Sequence, residues 1–302
     1  MAVASREPDV GLNTAKVTQP FLKWPGGKRW LIQHGLPMPT SFDRLVEPFT
    51  GSAAVFFALR PERALLSDLN AELINLFSVM RSHPKELMDL LQRHQERHCK
   101  QHYYAVRNLE YQRPLWRAAR MLYLNRTCWN GLYRVNQKGK FNVPIGTKSA
   151  VVMDSDDFII LSEALANVEL KCQDFEKTIR VCGEGDFLFV DPPYTVKHNF
   201  NGFLKYNETM FSWDDQIRLA DCLCKAANRG SSIVVTNADH ESVRALYHTG
   251  FDYQAIARKS VLAGSAAHRG ETSEAVFTAN IHATLGDGIL TVGHSDLNAQ
   301  RQ

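Results

Sequence analysis

The sequence predicts an α/β fold, a mainly parallel sheet doubly wound by helices. Three observations predict it. Short apolar runs recur along the chain, helix-like segments separate them, and each run ends in a turn signal or a polar residue. Buried parallel strands read as short continuous apolar runs, and alternation of such strands with helices argues for a doubly wound sheet. In that architecture ligands sit beyond the carboxyl ends of the strands.

Taken in order, the run at 42–46 leads into Glu47-Pro48, and the run at 64–66 leads into Ser67-Asp68. A helix is predicted over 69–81. The apolar stretch at 168–172 leads into Gln173-Asp174, 187–190 into Asp191-Pro192, and 233–235 into Thr236-Asn237. A second long helix is predicted over 213–228, with Ser212 placed to cap it.

The gap between the second and third strands is too long for a simple crossover. Residues 71–150 are therefore expected to form an inserted, mostly helical domain, with helical spacing over 84–98 and 115–124. It ends in a β-hairpin carrying Tyr133-Arg134-Val135 and Lys140-Phe141-Asn142-Val143 around a turn at 137–139. Residues 20–70 and 151–281 then make one discontinuous domain. The polar, aperiodic ends at 1–19 and 282–302 are expected to be loose tails.

Composition, with 44% hydrophobic and 22% charged residues, excludes fibrous and wholly disordered classes. No stretch has the apolar length of a membrane span, and the start lacks a signal-peptide core, so a soluble, intracellular chain is expected. The six cysteines (99, 128, 172, 182, 222 and 224) include no CxxC pair and read as reduced thiols. Charge is segregated. Ten basic residues lie between Lys100 and Lys148 against a single acid, Glu110, while the whole chain carries only +3. Such an excess suits a polyanion, and a phosphate backbone is the usual one.

The chemistry concentrates at Asp191-Pro192-Pro193-Tyr194, directly after an apolar strand. An exocyclic amine on a purine is a poor nucleophile because its lone pair is delocalised into the ring. A carboxylate and a backbone carbonyl accepting its two hydrogens concentrate the lone pair on nitrogen. Prolines fix that carbonyl, and an aromatic ring stacks on a base extruded from the duplex. The other reading of a Pro-Pro pair is a strand-ending turn. Upstream, Phe21-Leu22-Lys23-Trp24-Pro25-Gly26-Gly27-Lys28 offers glycines for close backbone approach to an anionic ligand. Small residues in Glu47-Pro48-Phe49-Thr50-Gly51-Ser52-Ala53 suit a cofactor lying on a strand-to-helix turn. Asp68, ending the next strand, suits ribose hydroxyls. Each of these alone also reads as a tight turn or helix cap.

Together FLKWPGGK, VEPFTGSAAVFF, SDLN, NRTCWNGLYRVNQKGKFNVPIG, CQDF and FVDPPY resemble a Dam-type DNA adenine methyltransferase of the D12 class, from about Phe21 to Ile281. The resemblance implies a Rossmann-like S-adenosylmethionine-dependent methyltransferase fold with an inserted DNA-recognition domain. It implies transfer of the methyl group to adenine N6, leaving S-adenosylhomocysteine, with no metal. Catalysis falls to Asp191, Pro192, Pro193 and Tyr194. The cofactor pocket is implied for Trp24, Lys28, Phe49, Gly51, Asp68, Asp174 and Asp191. DNA contact is implied for Lys23, Arg126, Trp129, Asn130, Leu132, Arg134, Lys140 and Pro144, with Arg134 a base reader, as arginine on guanine often is.

Three positions depart from the family pattern. Gly51-Ser52-Ala53 lacks a second glycine, Trp129 replaces a frequent tyrosine, and Lys148 stands where well-known members place a tyrosine near DNA. A GATC-like site is the first expectation, and Lys148 bears on it. Expected partners are double-stranded DNA and a restriction endonuclease of the same system. No membrane is expected, and the chain is read as a monomer in a prokaryotic cytoplasm or encoded by a phage. Rival readings are an amino-methyltransferase on cytosine or RNA, a non-catalytic DNA-binding regulator, and a nicotinamide oxidoreductase, the last disfavoured by the missing GxGxxG.

Overall fold

The computed structural model describes residues 19–281 apart from 25, 34, 137, 198–210 and 260–270. The tails foreseen at 1–19 and 282–302 lie outside the described residues, except Gln19. Among the described residues seven strands form one sheet: β1 (Arg44–Glu47), β2 (Ala64–Asp68), β3 (Val168–Cys172), β4 (Asp186–Val190), β5 (Ser232–Ala238), β6 (Asp252–Lys259) and β7 (Glu271–Ala279). Their order across the sheet is β3-β2-β1-β4-β5-β7-β6. The first five are parallel, and β7 pairs antiparallel with both β5 and β6.

Alternation along the strands builds two cores. Leu45, Leu66, Phe187, Phe189 and Val234 share one core with α1 (Arg29–Gln33), α2 (Ala54–Leu59), α3 (Ala71–Ser82), α4 (Pro84–Arg97), α5 (Lys100–Asn108), α6 (Pro114–Thr127) and α7 (Phe158–Ala164). Val46, Leu65, Leu188, Val190 and Val235 face α8 (Phe175–Ile179), α9 (Trp213–Asn228) and α10 (Glu241–Leu246). Most of these strand side chains are wholly buried, and each contributes about 1.5–3 kcal/mol relative to exposure. Helices α3 to α6 run between β2 and β3, and their Leu73, Phe77, Leu91 and Leu122 share one continuous cluster with the sheet.

Local chemistry explains the ends. Ser212 caps α9 as the sequence predicts, in a reciprocal box: its hydroxyl accepts from Asp215 N at 3.2 Å, and Asp215 accepts from Ser212 N at 2.9 Å. Asn70 caps α3, accepting from the backbone of Glu72 and Leu73 at 3.1 and 3.2 Å. The foreseen hairpin is present in reduced form. Asn136 N donates to Lys140 O at 2.9 Å and Asn142 N to Arg134 O at 3.1 Å, with a single bridge joining Val135 and Phe141 rather than a ladder. A two-stranded arm has few cross-strand partners to hold it, and here Phe141 and Val143 tie it to the main core instead; Gln137 in its turn lies outside the described residues. All six cysteines are free.

Strand order reverses between β1 and β4, which diverge to opposite sides of the sheet. The loops leaving their carboxyl ends, at Glu47 and at Asp191, therefore emerge side by side at the topological switch point.

Candidate active site

Asp191 follows directly on β4, and its neighbours come from three distant parts of the chain. The register Val190↔Val235 sets Thr236 of β5 beside it, and Thr236 Oγ1 donates to Asp191 Oδ1 at 2.8 Å. Lys28, from the turn before α1, places Nζ 2.9 Å from the same Oδ1. Among the described residues both contacts fall on Oδ1. Burial holds the Asp191 carboxyl above the usual carboxylate range, with Lys28 pulling the other way and Glu274 adding to the rise.

Lys28 is 2% exposed, and its ammonium also meets Glu274 Oε1 at 2.9 Å and Gly26 O at 2.9 Å. Tyr194 donates its hydroxyl to Glu274 Oε1, and the Lys28 ammonium stands 4.9 Å from the Tyr194 ring centroid. Burial first, then the two carboxylates, push the Tyr194 phenol well above its ordinary value, so it stays a donor. The backbone after Asp191 is pinned from β5 and α9. Gln216 Nε2 donates to Pro193 O at 3.3 Å and Thr195 O at 3.4 Å, while Asn237 Nδ2 holds Gln216 Oε1 at 3.0 Å. Both amides are wholly buried.

A second group of residues lines the ends of β1, β2 and β3. Asp68 accepts from Gly51 N at 3.3 Å and Asn70 N at 2.9 Å, and burial raises its carboxyl. Gly51 takes φ +48, and a Cβ there would stand 2.8 Å from Trp24 Cδ1, so the turn and the indole touch only because the side chain is missing. Ala53 completes the turn at φ 53. Glu47, 2% exposed, accepts from Phe56 N at 2.7 Å, and burial pushes its carboxyl up to about 8. Phe49 stacks on Phe175, ring centroids 5.4 Å apart. Asp174 caps α8 through Glu176 N at 2.9 Å and is paired by Arg218 at 2.7 and 3.0 Å. That guanidinium holds its carboxyl below the usual range.

Of the residues expected at DNA, Trp129 (52% exposed), Asn130, Arg134, Lys140 and Pro144 are exposed, and Leu132 is half-buried. Asn130 takes φ 55 in the short 3₁₀ turn Trp129–Gly131. Arg134 Nε donates to Asn142 Oδ1 at 2.8 Å, and Lys140 pairs with Glu110 at 2.9 Å. The backbone of Lys23 is held in both directions by the Asn125 amide, at 3.0 and 2.7 Å, so the turn bearing Trp24 and Lys28 is anchored to α6.

The structure corrects the expectation that Arg126 touches DNA. Its side chain is 0% exposed and its guanidinium is consumed internally. Nη1 donates to Asp156 Oδ2 at 2.6 Å and Val151 O at 2.7 Å; Nη2 donates to Asp156 Oδ1 at 2.8 Å and Phe21 O at 3.1 Å. The charge count is qualified by the same finding. Arg117 pairs with Glu72, and Arg120 donates to the carbonyls of Val106 and Arg107, so part of the basic excess is structural.

Sequence reasoning missed Glu274, Gln216 and Arg218, and took Glu47 only as the polar end of a strand at the cofactor turn. The only trace of the missed residues was a charged residue or amide inside an otherwise apolar or helical stretch, such as Glu274 before Ala275-Val276-Phe277.

Comparison with known proteins identifies the family. Residues 24–262 match the family model described as D12 class N6 adenine-specific DNA methyltransferase. The chain is 35% identical over 270 residues to the Type II methyltransferase M1.LlaDCHI of Lactococcus lactis subsp. cremoris, covering 86% of this chain and 95% of that protein. It is 32% identical over 276 residues to a DNA adenine methylase of Vibrio cholerae, covering 88% and 98%. It is 32% identical over 267 residues to the Type II methyltransferase M.MjaIII of Methanocaldococcus jannaschii, covering 81% and 92%.

Proposed function

Because the chain belongs to the D12 class of N6 adenine-specific DNA methyltransferases, we propose that it uses S-adenosylmethionine to methylate adenine at a short site in double-stranded DNA, through Asp191-Pro192-Pro193-Tyr194. The observation that carries this reading is the saturation of Asp191 Oδ1 by Thr236 and Lys28 at 2.8 and 2.9 Å, which leaves Oδ2 to accept an amino hydrogen. The Pro192 carbonyl accepts the other hydrogen. Tyr194, its hydroxyl tied to Glu274, stacks on the extruded base. Gln216 and Asn237 keep the loop from relaxing, so the acceptors need no rearrangement when the base arrives. Asp191 Oδ2 is the acceptor for the proton that N6 gives up.

The donor set fits S-adenosylmethionine. Asp68 is an oxygen acceptor suited to ribose hydroxyls, the Gly51 turn allows backbone approach, and Trp24 and Phe49 supply apolar walls. Asp174 and Lys28 border the same pocket. When bound, this group supplies a methyl already activated by its positive sulfur. In this reading residues 20–70 and 151–281 bind donor and base, and 71–150 read DNA, with Lys23, Trp129, Asn130, Leu132, Arg134, Lys140 and Pro144 at the duplex. The site is GATC-like, the enzyme acts as a monomer, and an endonuclease of the same system is its candidate companion.

The test is to incubate purified protein with labelled S-adenosylmethionine and methylation-free DNA, then map modified bases by sequencing. N6-methyladenine at one short motif is expected. Label on cytosine or RNA instead, or none despite binding of both substrates, would overturn the reading.

A further inference from the structure

We propose that Glu274 is a positioning residue for methyl transfer, holding the Lys28 ammonium and the Tyr194 hydroxyl on one carboxylate oxygen so that both stand fixed beside Asp191. The proposal rests on the reading of Asp191 and Tyr194 given above.

A carboxylate inside a strand needs a reason. Glu274 is 3% exposed and is followed on β7 by the buried Ala275, Val276 and Phe277, where an apolar side chain would pack at no electrostatic cost. A buried charge is tolerated only when paired and hydrogen-bonded. Pairing of Ala238 with Glu274 puts it two residues beyond Thr236 on the neighbouring strand, level with the loop that carries Tyr194.

The contacts then divide the work. Lys28 has three protons and three oxygens at 2.9 Å: Asp191 Oδ1, Glu274 Oε1 and Gly26 O. Its ammonium is saturated and cannot drift onto the second oxygen of Asp191. Without Glu274 one of those protons is released, and the nearest remaining anion is Asp191, the group that must accept from adenine. One cation between two carboxylates also leaves the cluster with a net negative charge, which favours a positively charged methyl donor and the positive charge developing on the amine. Tyr194 loses its bond to Glu274 in the same change, so the stacking ring is held less firmly.

The charged and titratable groups facing Asp191 are Lys28 from the turn before α1, Glu47 from β1, Tyr194 from its own loop and Glu274 from β7; Thr236 from β5 does not titrate. Glu274 raises the Asp191 carboxyl, so neutralising it moves the acid limb of the rate profile to lower pH.

The experiment compares the full-length wild type with Glu274→Gln in single-turnover methylation of a DNA duplex across pH, alongside binding constants for S-adenosylhomocysteine and DNA and a thermal melt. The expected result is a rate loss of about tenfold, short of the roughly hundredfold or more that follows loss of a group contacting the reacting atoms. Both binding constants should stay within about twofold, and the acid limb should shift downward. A wild-type rate with an unmoved limb overturns the positioning role alone, whereas an inactive wild type overturns the reading of the whole site. If the melt shows that Glu274→Gln does not fold, Glu274→Asp replaces it. That variant keeps the charge but shortens the reach, so it should also lose about tenfold in rate, and a wild-type rate in it overturns the proposal.

Discussion

Replacing Arg126 by Ala tests whether a basic side chain in the charged segment serves the fold or the ligand. The pair it forms with Asp156 is bidentate, at 2.6 and 2.8 Å, between side chains that are 0% and 4% exposed. Truncation leaves Asp156 buried without its counterion and removes the donor from the carbonyls of Phe21 and Val151. Breaking one partner of a buried pair costs about 3–5 kcal/mol. At roughly 2–4 °C per kcal/mol for a chain of this size, Tm should fall by about 6–20 °C. Asp156→Ala should match it, and the double variant Arg126→Met/Asp156→Leu should recover much of the loss, because it buries no charge. Thermal melting by circular dichroism gives the stabilities. DNA titrations at several salt concentrations, below the melting range, give the second axis. A Tm within about 1 °C of wild type, with weaker DNA binding and a salt slope reduced by about one, would refute the structural role and restore a phosphate contact.

Three further outcomes are expected. Asp191→Ala should abolish methyl transfer while S-adenosylhomocysteine binding, measured by calorimetry, changes little; retained turnover would sink the proposed chemistry. Arg134→Ala should relax preference at one base of the site by roughly 1–3 kcal/mol in competition methylation assays, whereas a uniform loss over all sequences demotes it to a phosphate contact. Glu47, pushed up to about 8 from an ordinary 4.5, is protonated in the fold at neutral pH. Its contribution to stability is therefore complete below about pH 4.5 and lost as pH rises through 8, so Glu47→Gln should flatten the fall in Tm between pH 6 and 9. An unchanged fall would place the titration elsewhere.

Legibility in the sequence followed the range of the interaction. The central parallel strands announced themselves by an apolar run before a polar end, whereas β3, at the sheet edge, alternates Val168-Glu169-Leu170-Lys171 and is buried only at Val168. Ser212 announced α9 because capping is settled within three residues. Strands β6 and β7 were not foreseen. On β6, Asp252, Gln254 and Arg258 break the apolar pattern of an edge strand, and β7 offers a buried Glu274 where apolar continuity was sought. The site was legible as far as its motifs run. The chemistry of the motif singled out Asp191 and Tyr194, but their contacts with Lys28 and Glu274 span most of the chain and depend on register. A charge count cannot separate Arg126 from Arg134, since burial is a property of the neighbours and not of the residue.

The position of β7 has a consequence for synthesis. Among the described residues it comes last in chain order, yet it lies within the sheet, with β5 on one side and β6 on the other. A nascent chain emerging from the ribosome can assemble the five parallel strands while β5 keeps an open edge and β6 has nothing to join. Lys28 then has Asp191 as its one anionic partner of the two, and the bond from Tyr194 to Glu274 is not yet made. Until β7 is in place the site lacks Glu274, and a chain stopped short of it carries every conspicuous motif without that contact.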